Sequence, residues 1–254
     1  MLQKAILKVN ILSPNIVVFS GDMVNKPVES EFDIFLNNAK RIKPKFYPIF
    51  GNHDIGVKGG LSKATIIAKL NENCPWLNIK QPNYYVIKNE YIFIFMDGTT
   101  DKEITSNGYF PKEALTFLDE TLTKFSNKKA IIVQHFPLMT PFKSASHEII
   151  NKDEYLDILD KHKNVVAVLA GHYHASKTIE RNNVLHITTP SMIEYPHTFR
   201  LITIDTDKKN VTIQSQMFYD AEQNSIETPS KPVNSLKMGL KKDNFYTVKL
   251  ENLR

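Results

Sequence analysis

The 254-residue sequence carries one cysteine, Cys74, so no intrachain disulfide can form. A lone thiol without a partner fits a reducing compartment, read here as cytoplasmic, and Cys74 itself reads as a small buried hydrophobe. Long apolar runs are missing too. None approaches the roughly 18 residues that a bilayer-spanning helix needs, so no membrane span is expected. The opening "MLQKAILKVNILSPNIVVFSGD" has neither the continuous apolar segment nor the small-residue cleavage site of a signal peptide. Charge of one sign is scarce as well: 32 Lys and Arg against 27 Asp and Glu leave a net +5. The lysines are dispersed, with no dense basic block or aromatic platform, which mildly favours an anionic partner and argues against a specific nucleic-acid-binding module. Repeats and low-complexity tracts are lacking. What remains, 42% hydrophobic and 23% charged residues, suits one large α/β domain with a substantial core.

The elements that are present alternate in type. The opening reads as a helix ending near Leu12, a Ser-Pro turn and a buried strand "IVVFS". "ESEFDIFLNNAKRI" sets Phe32, Phe35, Leu36, Ala39 and Ile42 at helical spacing before the strand "KFYPIF". "SKATIIAKLNEN" reads as a helix with Ser62 as N-cap, and "NYYVIKNEYIFIFMDG" as a hairpin turning at Asn89-Glu90. "PKEALTFLDETLTKF" places Pro111 at a first helical position, with Ala114, Leu115, Leu118, Leu122 and Phe125 on one face. The strands "KKAIIVQHF", "NVVAVLAGH", "NVLHITTP", "FRLITID" and "NVTIQSQMF" follow, with a helix around "KDEYLDILDKH". Such alternation predicts a layered α/β (α+β) protein with one or two central sheets covered by helices. A chain opening on a crossover helix has no preceding strand for that helix to cross from. The polar, basic stretch 221–254 reads as a tail or docking segment.

Four apolar runs stop on residues of metal-ligand type. "NIVVFS" ends in Gly21-Asp22, "FYPIF" in Gly51-Asn52-His53-Asp54, "AIIVQ" in His135, and "VVAVLA" in Gly171-His172-Tyr173-His174. Singly, each is an ordinary turn; Asn and Asp bond their own backbone and Gly relaxes it. Jointly they are hard to dismiss, because the carboxyl ends of parallel strands are where sites assemble. Four of the eight histidines lie in these places. Histidines 147, 162, 186 and 197 do not share the context and read as structural.

In that order and spacing, "GDMVN", "GNHD", "VQHFP" and "GHYH" resemble the calcineurin-like metallophosphoesterase superfamily over roughly residues 1–205. The segments "GYFPKEALTFLDETL" and "TTPSMIEYPHTFRLITI" resemble its cyclic-nucleotide phosphodiesterase-like branch. The resemblance implies a metallophosphoesterase-type β-sandwich flanked by helices over residues 1–220. It also implies two divalent metal ions at the strand ends and hydrolysis of a phosphoester, here a small phosphodiester. Carried over by position, Asp22 bridges the two metals, Asn52, His135 and His172 complete one shell, and His174 binds the other. His53, with Asp54 beside it, touches the phosphate or protonates the leaving group.

The residue types suit that chemistry. Imidazoles and carboxylates favour Mn, Fe or Zn over Mg or Ca. Two metals about 3.5–4 Å apart need one short bridging carboxylate, and a bridging water acidified toward neutrality yields a hydroxide for in-line attack. Asn52 adds an oxygen donor without charge, and a His beside a carboxylate is a good proton donor. The superfamily also opens with an Asp-x-His block on a strand before the "GD" block, and no such block precedes Gly21 here. The expectation is therefore an N-terminally incomplete domain, its first strand missing, with one better-formed metal site and impaired activity. The alternative is a non-catalytic scaffold or interaction protein that retains the fold.

Overall fold

The computed structural model describes residues 2–57, 59–206, 210–226 and 236–251. The chain runs α1 (Leu2–Leu12), β1 (Val17–Phe19), α2 (Glu29–Ala39), β2 (Phe46–Pro48), α3 (Lys63–Asn73), β3 (Tyr84–Lys88), β4 (Tyr91–Met96), α4 (Lys112–Lys124) and β5 (Lys129–Gln134). It continues with α5 (Lys152–Lys161), β6 (Val165–Ala170), β7 (Lys177–Arg181), β8 (Val184–Thr188), β9 (Thr198–Thr206), β10 (Asn210–Tyr219), α6 (Ala221–Ile226), α7 (Lys241–Asn244) and β11 (Tyr246–Glu251).

A six-stranded sheet in the order β3-β4-β5-β6-β8-β7 forms the centre, its inner pairs parallel and its two outer pairs antiparallel. Side-chain alternation sorts its faces. Ile92, Ile94, Met96, Ala130 and Ile132 pack on one side against Leu115, Leu118 and Leu122 of α4 and Tyr155, Leu156 and Leu159 of α5. Ile131, Ala167, Leu185 and Ile187 face the other way, onto Val211, Ile213 and Leu250 of a three-stranded antiparallel sheet, β11-β10-β9. The two sheets therefore form a sandwich with helices outside. Between Ala130 and Ile131 the pairing with β6 skips Val166. The skip is a bulge, and it turns both Val166 and Ala167 toward the second sheet.

The parallel pair β1-β2 stands apart as its own two-stranded sheet, beneath α2 and α3 in a core of Phe32, Phe35, Phe46 and Ile66. Ser62 caps α3 as expected, accepting the Thr65 N–H at 3.1 Å. Pro111 sits one position earlier than expected, as the extended N-cap of α4, where its carbonyl accepts the Ala114 and Leu115 N–H groups. Strand β7, "KTIER", is an element that the sequence did not announce. The C-terminal segment docks through β11 on β10. Half-buried Arg200 holds the segment further, donating to the Asp243 carbonyl at 2.9 Å.

Candidate metal centre

Strands β1, β2, β5 and β6 all deliver their carboxyl ends to one place, and the chain strains to make the delivery. Asp22, His172 and His174 have φ of 53°, 68° and 50°, a left-handed conformation that is costly for any residue with a Cβ. Gly51 passes so close to Asp22 that a Cβ there would stand 2.8 Å from the Asp22 Cγ. The two turns are thereby pressed together.

Asp22, His135 and His172 converge, each offering one donor atom, all within 4.8 Å of one another. Asp22 Oδ2 lies 3.3 Å from His135 Nε2, and His135 Nε2 lies 3.0 Å from His172 Nδ1. The far nitrogens are fixed by backbone carbonyls. His135 Nδ1 donates to Ser20 O at 2.7 Å, and His172 Nε2 donates to Ser106 O at 2.8 Å. Each ring's hydrogen is committed outward, which turns its lone pair inward. Two lone pairs do not face each other at 3.0 Å without positive charge among them, either a proton or a metal ion. Burial alone would lower the pKa of His135, but the charge and hydrogen bond of Asp22 and the Ser20 carbonyl push it up. Burial, with the charges of His135 and His147, pushes His172 down to about 3. Burial works to raise the Asp22 carboxyl, yet His135 and the His53 N–H hold it well below the usual carboxylate range.

Asn52 adds a further acceptor. Its Oδ1 is buried and has no hydrogen-bond partner among the described residues, a costly state unless a cation is to occupy that position. Together with the carboxylate and the two inward-facing imidazoles, that uncharged oxygen would make a donor set that fits a transition-metal ion.

The other expected residues are disposed differently. The backbone N–H of His53 donates to Asp22 Oδ1 at 3.0 Å, while its exposed ring donates from Nδ1 to Asn25 O at 2.9 Å. Asp54 is adjacent in sequence but bonds elsewhere. Its buried carboxylate accepts the Gly51 N–H at 2.8 Å and the Val24 N–H at 3.2 Å, so it ties the two turns together rather than orienting the His53 ring. Burial, then the charge of Asp22, pushes Asp54 up to about 7. His174 lies outside the converging trio, with Nδ1 2.8 Å from Glu194 Oε2, an oxygen also held by Lys237 at 2.7 Å. His147, read as structural, in fact stands beside the centre, its ring centroid 4.9 Å from that of His172. Neither His147 nor Ser106 has a sequence signal, since both lie in loops far from any strand end.

A sandwich whose strand ends gather a carboxylate, an amide and imidazoles has the form of a metal-dependent hydrolase. The chain belongs to the calcineurin-like phosphoesterase family, which it matches over residues 2–176. That membership places it among the metal-dependent hydrolases of phosphoric esters. It is similar to a probable glycerophosphodiester phosphodiesterase of Arcobacter nitrofigilis, 28% identical over 199 residues covering 75% of this chain and 68% of that protein. It is also similar to a probable cyclic nucleotide phosphodiesterase of Moraxella catarrhalis, at 24% identity over 66% of this chain and 61% of that protein. The chain thus spans about two thirds of the length of these curated relatives. In fold it is similar to a dimetal phosphatase from Danio rerio, with a TM-score of 0.68 at 15% identity, over 86% of this chain and 88% of that one. Among the described residues no helix is long and apolar enough to cross a membrane.

Proposed function

We propose that this chain hydrolyses a small phosphodiester at a centre built for two divalent ions of the Mn, Fe or Zn type. The observation that carries the reading is the pair of inward-facing nitrogens, His135 Nε2 and His172 Nδ1 at 3.0 Å, beside Asp22. Asp22, Asn52, His135 and His172 would hold one ion, with Asp22 bridging toward a second held by His174. Asp22 and His174 alone make a thin shell, so the first position is the better formed. When bound, the ions supply Lewis-acid polarisation of the phosphoryl group and a water acidified toward neutrality.

The rest falls to the chain's own residues. His53 keeps its Nδ1 hydrogen on Asn25 O, which leaves Nε2 as the atom that, in the imidazolium form, hands a proton to the leaving alkoxide. Asp54 holds the Asp22 and Asn52 turns in register through the Val24 and Gly51 N–H groups. The relatives' names, a glycerophosphodiester and a cyclic nucleotide phosphodiesterase, support a small diester as the substrate class. A buried lone thiol, Cys74, is compatible with a cytoplasmic setting. The test is manganese binding by calorimetry together with hydrolysis of bis(p-nitrophenyl) phosphate. His172→Ala is expected to lose both, and a wild-type protein that binds no divalent transition metal would refute the reading.

A non-catalytic scaffold is the second reading, favoured by one observation: His174 is engaged by Glu194, itself paired with Lys237. It expects less than one equivalent of metal and a biological role indifferent to His53→Ala.

A further inference from the structure

Two loops absent from the four motifs form a cap beside the centre. Gly108 N–H donates to Glu148 O and Ile150 N–H to Gly108 O, both at 2.9 Å. The Glu148 N–H donates to Asn107 Oδ1 at 3.1 Å, and the Ser106 hydroxyl to Ser146 O at 3.1 Å. Asn151 closes the far end, accepting the Phe110 N–H and donating to the Phe110 carbonyl. The seam also needs Gly108, because a Cβ there would stand 2.6 Å from Phe136 Cδ2, on the residue that follows His135.

The cap reaches the centre from both of its loops. The first supplies the Ser106 carbonyl that fixes His172. The second supplies His147, whose ring lies 4.9 Å from that of His172, tilted by 36°, and 5.7 Å from that of Tyr173. His147 Nδ1 is 3.2 Å from the hydroxyls of both Ser144 and Ser146. Ser144 Oγ accepts the Ser146 N–H at 3.4 Å and can donate its own hydrogen to Nδ1, the direction we assign to that bond. That assignment puts the ring hydrogen on Nε2, and among the described residues no acceptor bonds that atom. A neutral N–H donor beside a cationic centre suits an anionic phosphoryl group, since it binds oxygen without adding a ligand to the metal.

On the phosphodiesterase reading above, we propose that His147 is a substrate-contacting residue whose Nε2–H donates to a non-bridging phosphoryl oxygen. Such a bond acts equally on bound substrate and transition state, so its loss raises KM rather than lowering kcat.

The experiment uses manganese-loaded protein, bis(p-nitrophenyl) phosphate for kinetics, and calorimetry for manganese stoichiometry and for inorganic phosphate binding. His147→Phe keeps a ring beside His172 but has no N–H. It is expected to raise KM and the phosphate Kd about tenfold, with kcat within about twofold and manganese stoichiometry unchanged. His147→Gln, with an amide N–H near the position of Nε2, is expected to recover most of the loss. A Phe variant with wild-type KM and phosphate Kd overturns the assignment. So does a Phe variant that loses manganese, because the ring would then be serving the metal. A wild-type protein without manganese overturns the metal reading and this one with it. Wild-type binding of manganese and phosphate that the Phe variant shares undiminished overturns the role of His147 alone.

Discussion

Gly51→Ala is expected to disable the metal centre without altering any ligand. Gly51 does not occupy the left-handed region, so alanine is conformationally acceptable there and only space decides the outcome. A Cβ would overlap Asp22 Oδ1 and the Asp22 backbone nitrogen and stand 2.8 Å from Cγ. Ordinary contact begins at 3.4 Å, so the carboxyl carbon must retreat by about 0.6 Å. The backbone nitrogen cannot yield by rotating a side-chain bond, so the two turns must also separate. That separation pulls Asp22 Oδ1 from the His53 N–H and Asp54 Oδ1 from the Val24 N–H. Overpacking of this kind costs about 1–3 kcal/mol in stability, and disturbing the support of a ligand lowers metal affinity about 10- to 100-fold. Gly59 is the control. Its φ is +118° and a Cβ there would meet nothing within 4 Å, so alanine costs about 1–2 kcal/mol in backbone strain and leaves the centre alone. Manganese calorimetry and urea unfolding on both variants check the argument. A Gly51→Ala protein that binds manganese as tightly as wild type, or a Gly59→Ala protein weakened equally, would refute this steric coupling.

Three further outcomes are expected. Asn52→Ala removes an oxygen that is buried without a partner, so urea unfolding without metal should change by no more than about 0.5 kcal/mol, while manganese affinity falls at least about tenfold; a large loss of metal-free stability would show that the amide serves the fold. His186 has both ring nitrogens buried and without a hydrogen-bond partner among the described residues, and burial, then the charge of Arg181, pushes it down to about 4. With a folded pKa below its unfolded one, the folded protein binds fewer protons between about pH 4 and 6.5, and stability must fall as pH drops through that window, by about 3 kcal/mol in all. His186→Leu should flatten that part of the pH–stability curve, and an unchanged slope would refute the assignment. Half-buried Arg200 donates to Thr189 Oγ1, Ser215 Oγ, Asp243 O, Ser176 Oγ and Thr188 O. Arg200→Met leaves several of these without a donor and should destabilise by about 3 kcal/mol in urea, with protease cutting first in the released C-terminal segment.

The strands and helices with a clean period were legible in the sequence, and so was the meeting of four strand ends. β7 was not, because "KTIER" is half-exposed, with a single apolar residue and no alternation to read. The site was legible as residue types and illegible as geometry. His53 and Asp54 are neighbours in the chain, and the one-residue step sends the first to the surface and the second into the core. The lone pairs of His135 and His172 are aimed by carbonyls of Ser20 and Ser106, which lie 115 and 66 positions away, and a carbonyl is carried by every residue alike. For the same reason no residue type marks His147 as belonging to the centre. Its loop arrives there through backbone bonds to Gly108.

What joins these observations is that each, taken alone, is a cost to folding. Left-handed backbone at Asp22, His172 and His174 is strained by about 1 kcal/mol or more at each position. An amide oxygen at Asn52 is buried with nothing to accept. Two imidazoles have their hydrogens drawn outward until their lone pairs meet at 3.0 Å beside a carboxylate. A core optimised for stability alone has no use for any of these, and scattered through the fold they would need separate explanations. Gathered at the ends of β1, β2, β5 and β6 they need one. A divalent cation among them would replace the missing donor at Asn52, separate the facing lone pairs, neutralise Asp22 and offset the strained backbone at Asp22 and His172.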